Sequence, residues 1–263
     1  MTHRRSLDEI LGTAIVGGEL QTGTVLKIQA LSVEHGVSRS VIRETLRILE
    51  TLGMVVARQR VGITVLGREH WRLLDPRVIA WRSHADDAQT QLHELMQLRG
   101  ILEPAAAELA ARQGTHEQLA AVVRAAREMT TTYRDRRVAP FAQADLDFHS
   151  AIVAAASSSV LAQLADTVLA ALLLRYSGSV PVFDEEGERA VALHVRIADA
   201  LASRDAAVAA DLTRTLVDHT RGRVEETAAA PAIARASASA GAGAGAGAAP
   251  DDPDPVAAAL RVR

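Results

Sequence analysis

The chain is expected to be mainly α-helical: a winged helix-turn-helix followed by an antiparallel helical bundle. Three observations predict this. Gly36-Val37-Ser38-Arg39 reads as a tight turn feeding an amphipathic helix that runs through Ile42, Arg43, Leu46 and Arg47. Two short β-prone runs follow, Val55-Val56-Ala57-Arg58 and Ile63-Thr64-Val65, with Gln59-Arg60-Val61-Gly62 between them as a hairpin tip. From about 91 to 226 the apolar residues recur at helical spacing with no alternating strand run.

Each element has its own signal. Leu7, Ile10, Leu11, Ala14 and Ile15 form a helical stripe that Gly17-Gly18 stops. Ile28 and Leu31 mark a short second helix ending near Gly36. In the third helix Ile42, Leu46 and Leu49 fall at i, i+4 and i+7, so they share one face, and Leu52-Gly53-Met54 ends it. Arg39, Arg43 and Arg47 stand off that face. Basic side chains on the exposed N-terminal half of a helix after a turn suit a DNA major groove. A solvated basic face is the commoner meaning of one such helix alone. Three helices and a basic-tipped hairpin in order shift the balance towards DNA.

Composition sets the limits. Aromatics are only 3% and alanine is abundant, which favours helices with small residues at their contacts. There is no cysteine, which excludes disulfides and thiolate metal sites. The start, Met1-Thr2-His3-Arg4-Arg5, leads into an amphipathic stripe and not a signal peptide. The longest dense apolar run, 168–174, is too short to span a bilayer. A cytoplasmic protein with no membrane partner is expected. The net charge of −3 is unevenly spread: residues 1–70 hold nine Lys/Arg against seven Asp/Glu, and residues 36–68 hold six arginines against Glu44 and Glu50. The local field over the third helix and wing, not the global charge, would steer a polyanion.

Residues 38–46, Ser-Arg-Ser-Val-Ile-Arg-Glu-Thr-Leu, resemble the signature of the GntR superfamily of bacterial transcription regulators. The resemblance covers about 6–68, including Gly62 at the wing. It implies that Arg39 and Arg43 contact DNA and that Gly62 enters the minor groove. The DNA-binding set expected here is Ser38, Arg39, Ser40, Arg43, Arg47, Arg58, Arg60 and Gly62. Some members carry a base-reading arginine in the second helix, where this chain has Gln29; that departure bears on the operator sequence and not on the DNA-binding role. One recognition helix reads only a few base pairs, so a homodimer on an inverted-repeat operator is expected.

Residues 69–90 read as a linker, with Asp75 as cap and Pro76 in the first turn of a short helix. Both tryptophans, Trp71 and Trp81, fall in it and should pack it onto one of the domains. In the helical domain, 91–226, Leu92, Leu95, Leu98, Leu102 and Leu109 mark one long helix with Pro104 as a kink site. Leu119, Val122, Val123, Ala126 and Met129 mark the next, and four more helices follow over 141–156, 160–176, 188–203 and 205–226. The tail from 227 to 263, with Ala-Gly alternation and then Pro250-Asp251-Asp252-Pro253, has no face to pack and is expected to be disordered.

Asp145 and His149 stand at i, i+4, so both project from one helix face. His194 and His219 flank the short Ser203-Arg204-Asp205 break, and an antiparallel helix pair could bring them together. A carboxylate and three imidazoles suit Zn, Ni, Mn or Fe, although spacing alone is a weak signal among nine histidines. Leu98-Arg99-Gly100-Ile101-Leu102-Glu103-Pro104 resembles the opening helix of the ligand domain (FCD type) in the FadR branch of GntR regulators, and Asp145-Leu146-Asp147-Phe148-His149 with His194 and His219 resembles that domain's metal pattern. The resemblance implies Asp145, His149, His194 and His219 as ligands of a divalent metal. It also implies that Arg99 faces the same cavity and takes a small carboxylate or sugar-acid effector. The other reading of Arg99 is a surface ion pair with Glu94 or Glu103. Ser159, where many members have asparagine, is a departure at the turn after the metal helix.

The function these observations predict is a ligand-responsive DNA-binding regulator, a repressor of a catabolic operon, and not an enzyme. The rival is a metal-dependent enzyme acting on a small organic acid, with an accessory nucleic-acid-binding module. Against it, the chain has no HExxH and no nucleotide-binding glycine loop. A third reading is a metal that only stiffens the bundle.

Overall fold

The computed structural model describes residues 5–178 and 183–229. The expected disordered tail lies, apart from its first residues, outside the described residues. The chain divides after Gln91 into two compact units.

The N-terminal unit opens with α1 (Leu7–Val16), β1 (Val25–Leu26), α2 (Ile28–His35) and α3 (Arg39–Thr51). Gly36 ends α2 in the left-handed conformation at φ 64°, where a side chain would be strained. Ser38 then caps α3, its hydroxyl accepting from the Val41 N–H at 3.4 Å. The hairpin β2 (Val55–Arg58) and β3 (Gly62–Val65) is antiparallel, pairing Val55 with Val65 and Arg58 with Gly62. β1 joins as a third strand on the other edge of β3, giving the order β1-β3-β2. Two residues carry no readable strand period, so β1 has no signal in the sequence; it exists because β3 offers it an edge. Leu11, Ile15, Leu31, Ile42, Leu46, Leu49 and Val65 belong to the core, so the predicted face of α3 is the buried one; of the predicted α1 stripe Leu11 and Ile15 are buried while Ile10 is exposed.

The segment after the wing packs into this same unit. A 3₁₀ turn (Arg68–His70) leads to α4 (Pro76–Arg82), which Asp75 caps by accepting from the Arg77 N–H at 3.0 Å. Val78 and Trp81 belong to the core, and the Trp71 indole donates to the Leu66 carbonyl at 3.0 Å. Asp87 holds two guanidiniums at once, Arg68 and the buried Arg82, each at 2.6 Å. The expectation left open which domain receives the tryptophans; it is the N-terminal one.

The second unit is all-helical among the described residues. Its helices are α5 (Ala88–Gln113, whose first residues belong to the N-terminal unit), α6 (His116–Arg134), α7 (Val138–Ala155), α8 (Ser159–Gly178), α9 (Glu185–Ala202) and α10 (Ala206–Ala229). α6 packs on α7 and α9, and α9 on α10. Alanines 106, 107, 110 and 111 of α5 are buried, so neighbouring backbones approach closely around Met129, Phe148, Ile197 and Leu201. α5 runs unbroken through Pro104. Its buried stripe differs from the expected leucine stripe. Leu95 and Met96 are buried, but the stripe continues through Arg99 and Glu103 to Ala106 and Ala110, while Leu98, Leu102 and Leu109 are only half-buried. The ends of α5 and α6 are tied by side chains. Thr115 and Gln118 form a reciprocal capping box, and Arg204 donates to the Ala111 and Gly114 carbonyls at 3.2 and 2.8 Å.

Gly12 tests the seat of α4. A Cβ there would lie 2.4 Å from the Trp81 ring. Helix propensity alone makes Gly→Ala favourable by up to about 1 kcal/mol, whereas forced overpacking costs about 1–3 kcal/mol. Gly12→Ala should therefore destabilise the protein in denaturant unfolding followed by tryptophan fluorescence. A variant more stable than wild type would show that Trp81 does not sit on α1.

Candidate functional sites: a nucleic-acid interface and a buried metal centre

α3 separates its two jobs by face. Ile42 and Leu49 are fully buried and Leu46 nearly so, which anchors the helix, while Ser38, Arg39, Ser40, Arg43 and Arg47 are exposed. Arg47 sits 3.6 Å from Glu44, a pair too solvated to hold it. At the wing, Arg58, Arg60 and Gly62 are exposed, and Arg60 takes a left-handed φ of 65° at the tip. Glu50 accepts from the Ala57 N–H at 3.0 Å and so ties the end of α3 to β2. The recognition helix and the wing are thus held in one rigid unit, each presenting arginines to solvent.

In the second unit a buried polar group crosses three helices. Asp145 and His149 on α7 and His194 on α9 each offer one ligand atom, and these atoms lie within 4.8 Å of one another. All three residues are at most 3% exposed. Asp145 Oδ1 is the focus: His194 Nε2 lies 3.2 Å from it and His149 Nε2 3.6 Å. The far nitrogens are already engaged. His194 Nδ1 donates to the Ala190 carbonyl at 2.7 Å, and His149 Nδ1 lies 2.9 Å from Glu103 Oε2. Both rings therefore turn Nε2 inward, the tautomer and orientation a metal ligand needs. His194 Nε2 is buried and has no well-aligned hydrogen-bond partner among the described residues. A carboxylate and two imidazoles converging in this way fit a divalent cation of the Zn, Ni, Mn or Fe type.

The fourth expected ligand, His219 on α10, stands outside this group. Its Nδ1 is 3.7 Å from Glu186, and its Nε2 is buried without a hydrogen-bond partner among the described residues. Arg99 is not a surface residue. It is 1% exposed and its Nε donates to Glu103 Oε1 at 2.5 Å, so the ion pair with Glu103 exists, but inside the protein. Glu103 was readable only as a partner for Arg99. The signal that marks it is positional: it falls on the same helical stripe as Met96, Ala106, Ala107 and Ala110, so its carboxylate had to be buried.

The electrostatics follow from this arrangement. Burial pushes the Glu103 carboxyl up, but the charges of Arg99 and His149 and the hydrogen bonds from both override it and hold it at about 2. Burial pushes His149 down, yet the Glu103 charge and the contacts with Asp145 and Glu103 raise it above its ordinary value. Burial also lowers His194; the contact with Asp145 opposes this, and the charge of His149 adds to the lowering.

A winged helix with outward arginines, followed by a helical unit with a buried Asp/His/His centre, defines a class of DNA-binding regulators that carry their own sensor. Residues 4–65 match the family of bacterial regulatory proteins called the gntR family, and residues 94–219 match the FCD domain. The chain belongs to the gntR family, in its FCD-domain branch, and is a DNA-binding transcription regulator and not an enzyme. It is similar to the Galactonate operon transcriptional repressor of Escherichia coli (strain K12), 27% identical over 82% of this chain and 94% of that protein. It is also similar to the HTH-type transcriptional regulator LutR of Bacillus subtilis (strain 168), 30% identical over 74% of this chain and 89% of that one. A solved structure of Lar, which controls the expression of the Listeria monocytogenes agr system, shares the fold at a TM-score of 0.59 and 18% identity, over 86% of this chain and 99% of that chain. Among the described residues no helix is long and apolar enough to cross a membrane.

The depressed Glu103 carboxyl links to acid stability. A carboxyl at about 2 when folded and 4.5 ordinarily contributes stability that is fully present above 4.5 and lost as pH falls towards 2. The stability of the metal-free protein should therefore fall through that window. In Glu103→Gln the fall should be shallower by one proton's worth of slope, measured by urea unfolding at stepped pH. Parallel curves for the two proteins would show that Glu103 is not held ionised.

Proposed function

We propose that the protein represses a catabolic operon and is controlled by a small carboxylate or sugar acid sensed at a metal centre in its helical unit. The observation that carries this is the convergence of Asp145, His149 and His194, with both imidazoles fixed from behind so that Nε2 faces inward. His219 stands outside the converging three, and its buried Nε2, without a hydrogen-bond partner among the described residues, supports it as the fourth ligand the family pattern implies. A divalent metal held there would offer its open positions to a carboxylate. Arg99, joined to the centre through Glu103, supplies a positive charge beside it. Similarity to the galactonate operon repressor supports a sugar acid as the chemical class.

DNA is read by α3 and the wing. Arg39 and Arg43 reach base edges in the major groove, with Ser38, Ser40, Arg47 and Arg58 around them, while Arg60 and Gly62 at the wing meet phosphate or the minor groove. Two copies related by a dyad would read an inverted repeat, so the working form is a homodimer. A second reading, a metal that only stiffens the bundle, is favoured by one observation, the near-complete burial of the ligand set.

Changing Arg39 or Arg43 to Ala should cost about 1–3 kcal/mol of operator binding if either reads a guanine, and should relax selection at one position. Arg60→Ala should weaken all sequences alike and flatten the salt dependence. Unchanged binding in all three, by fluorescence anisotropy at several salt concentrations, would reject this docking.

His149→Ala should lose metal and the effector response together while still binding operator, because the winged unit has its own core. Metal content by elemental analysis, paired with operator binding titrated with galactonate and related acids, decides the matter. A His149→Ala protein that responds to the acid normally would rule out sensing at this centre. Metal loss with no effect of any acid on the wild type would favour the stiffening role.

A further inference from the structure

We propose that Glu103 is a positioning residue of the metal centre: it grips His149 from behind and presents Nε2 to the ion, and Arg99 anchors Glu103 for that purpose. The inference rests on the metal reading above and assigns a role to two residues outside the ligand set.

The geometry separates this role from that of a plain buried ion pair. A guanidinium and a carboxylate left to themselves form a two-armed fork, with both oxygens engaged at similar distances. Here the fork is lopsided. Arg99 Nε holds Oε1 at 2.5 Å, but Arg99 Nη2 stands 3.4 Å from Oε2. His149 Nδ1 shares that second oxygen and makes the shorter contact with it, at 2.9 Å. One carboxylate is thus split between an anchor on its own helix, α5, and an imidazole on α7. His149 is left with Nε2 as its one remaining ligand atom, and that atom faces the same Asp145 oxygen as His194 Nε2.

The two imidazoles are held differently. His194 is oriented by a neutral carbonyl one turn back on its own helix, Ala190. His149 is oriented by a charge delivered from another helix. A carboxylate behind a ligating imidazole raises its basicity as well as fixing its ring, and loss of such a partner typically costs about 10- to 100-fold in metal affinity. Both Arg99 and Glu103 are almost fully buried, so neither can exchange its partner for water. This explains why a long charged pair occupies the centre of an otherwise apolar stripe, between Leu95 and Met96 on one side and Ala106 and Ala110 on the other.

The test uses the full-length protein and Zn²⁺ alone as probe, with affinity read by competition against a chromophoric chelator. Glu103→Gln keeps an acceptor for His149 but loses the charge, and should weaken Zn²⁺ binding about tenfold. Because it also leaves Arg99 buried without its counter-ion, the double variant Arg99→Met/Glu103→Leu is made beside it. That pair of changes removes both charges together, which buried pairs often tolerate, and leaves His149 Nδ1 with no acceptor. It should weaken binding by up to about 100-fold. In Zn²⁺-loaded, ¹⁵N-histidine-labelled protein, the His149 Nδ1–H resonance should move upfield in both variants. The His194 Nδ1–H resonance, held by Ala190, should stay in place and serves as the internal control. A merely structural pair would leave the double variant binding Zn²⁺ like wild type, even though the His149 resonance moves with loss of its acceptor, and that result overturns the proposal. If the wild type itself takes up no Zn²⁺, the metal reading falls and this role with it.

Discussion

Five polar side chains, Arg99, Glu103, His149, Asp145 and His194, form one continuous buried chain through the helical unit. No charge in such an interior survives alone, because an unpaired ion far from water costs several kcal/mol. Each member must therefore meet the next, and they come from three different helices. That requirement sets where α5, α7 and α9 can lie against one another. The alanines make it achievable: Ala106 and Ala107 on α5, Ala144 on α7 and Ala198 on α9 are buried and small. Larger side chains there would hold the helices apart and break the network.

The same constraint explains the local electrostatics. Glu103 stays ionised despite burial because two positive groups face it, and His149 holds its proton more tightly because two carboxylates face it. His194 has one carboxylate and a positive neighbour, and it goes the other way. Two histidines in one cluster thus shift in opposite directions. The difference lies in Glu103, which touches one of them and not the other.

The N-terminal unit solves a different problem. Its charges must remain in water until DNA replaces the water. Its apolar groups do the holding: Ile42, Leu46 and Leu49 pin α3, and Trp81 and Val78 close the core from beyond the wing. The arginines of α3 and the wing then cost nothing to display, since none of them is needed for packing. Register does the rest, because the Arg58–Gly62 pairing places the tip residues 59–61 outside the sheet.

Much of this was legible in the chain. The period of α3, the glycine at its entrance and the two β-prone runs after it pointed to the winged helix, because these signals act over a few residues and the backbone obeys them locally. The i, i+4 spacing of Asp145 and His149 put them on one face for the same reason. Other features have no local signal. β1 is a strand only because β3 lies beside it. The connector belongs to the N-terminal unit because Trp81 finds Gly12, a residue far away in sequence that has no side chain to block the ring. His194 meets Asp145 while His219 stands towards Glu186, and spacing treats the two alike. Arg99 read either as a cavity residue for an effector or as half of a surface pair with Glu94 or Glu103. Only the packing of α5 shows that their stripe faces inward, where water is absent and the pair must share its charge with His149. The sequence by itself determined which elements form and which side chains share a face, since both follow from backbone periodicity. Which faces meet, and so which charges must neutralise one another, was decided by the tertiary structure, because burial and pairing are properties of neighbours that the chain brings together from a distance.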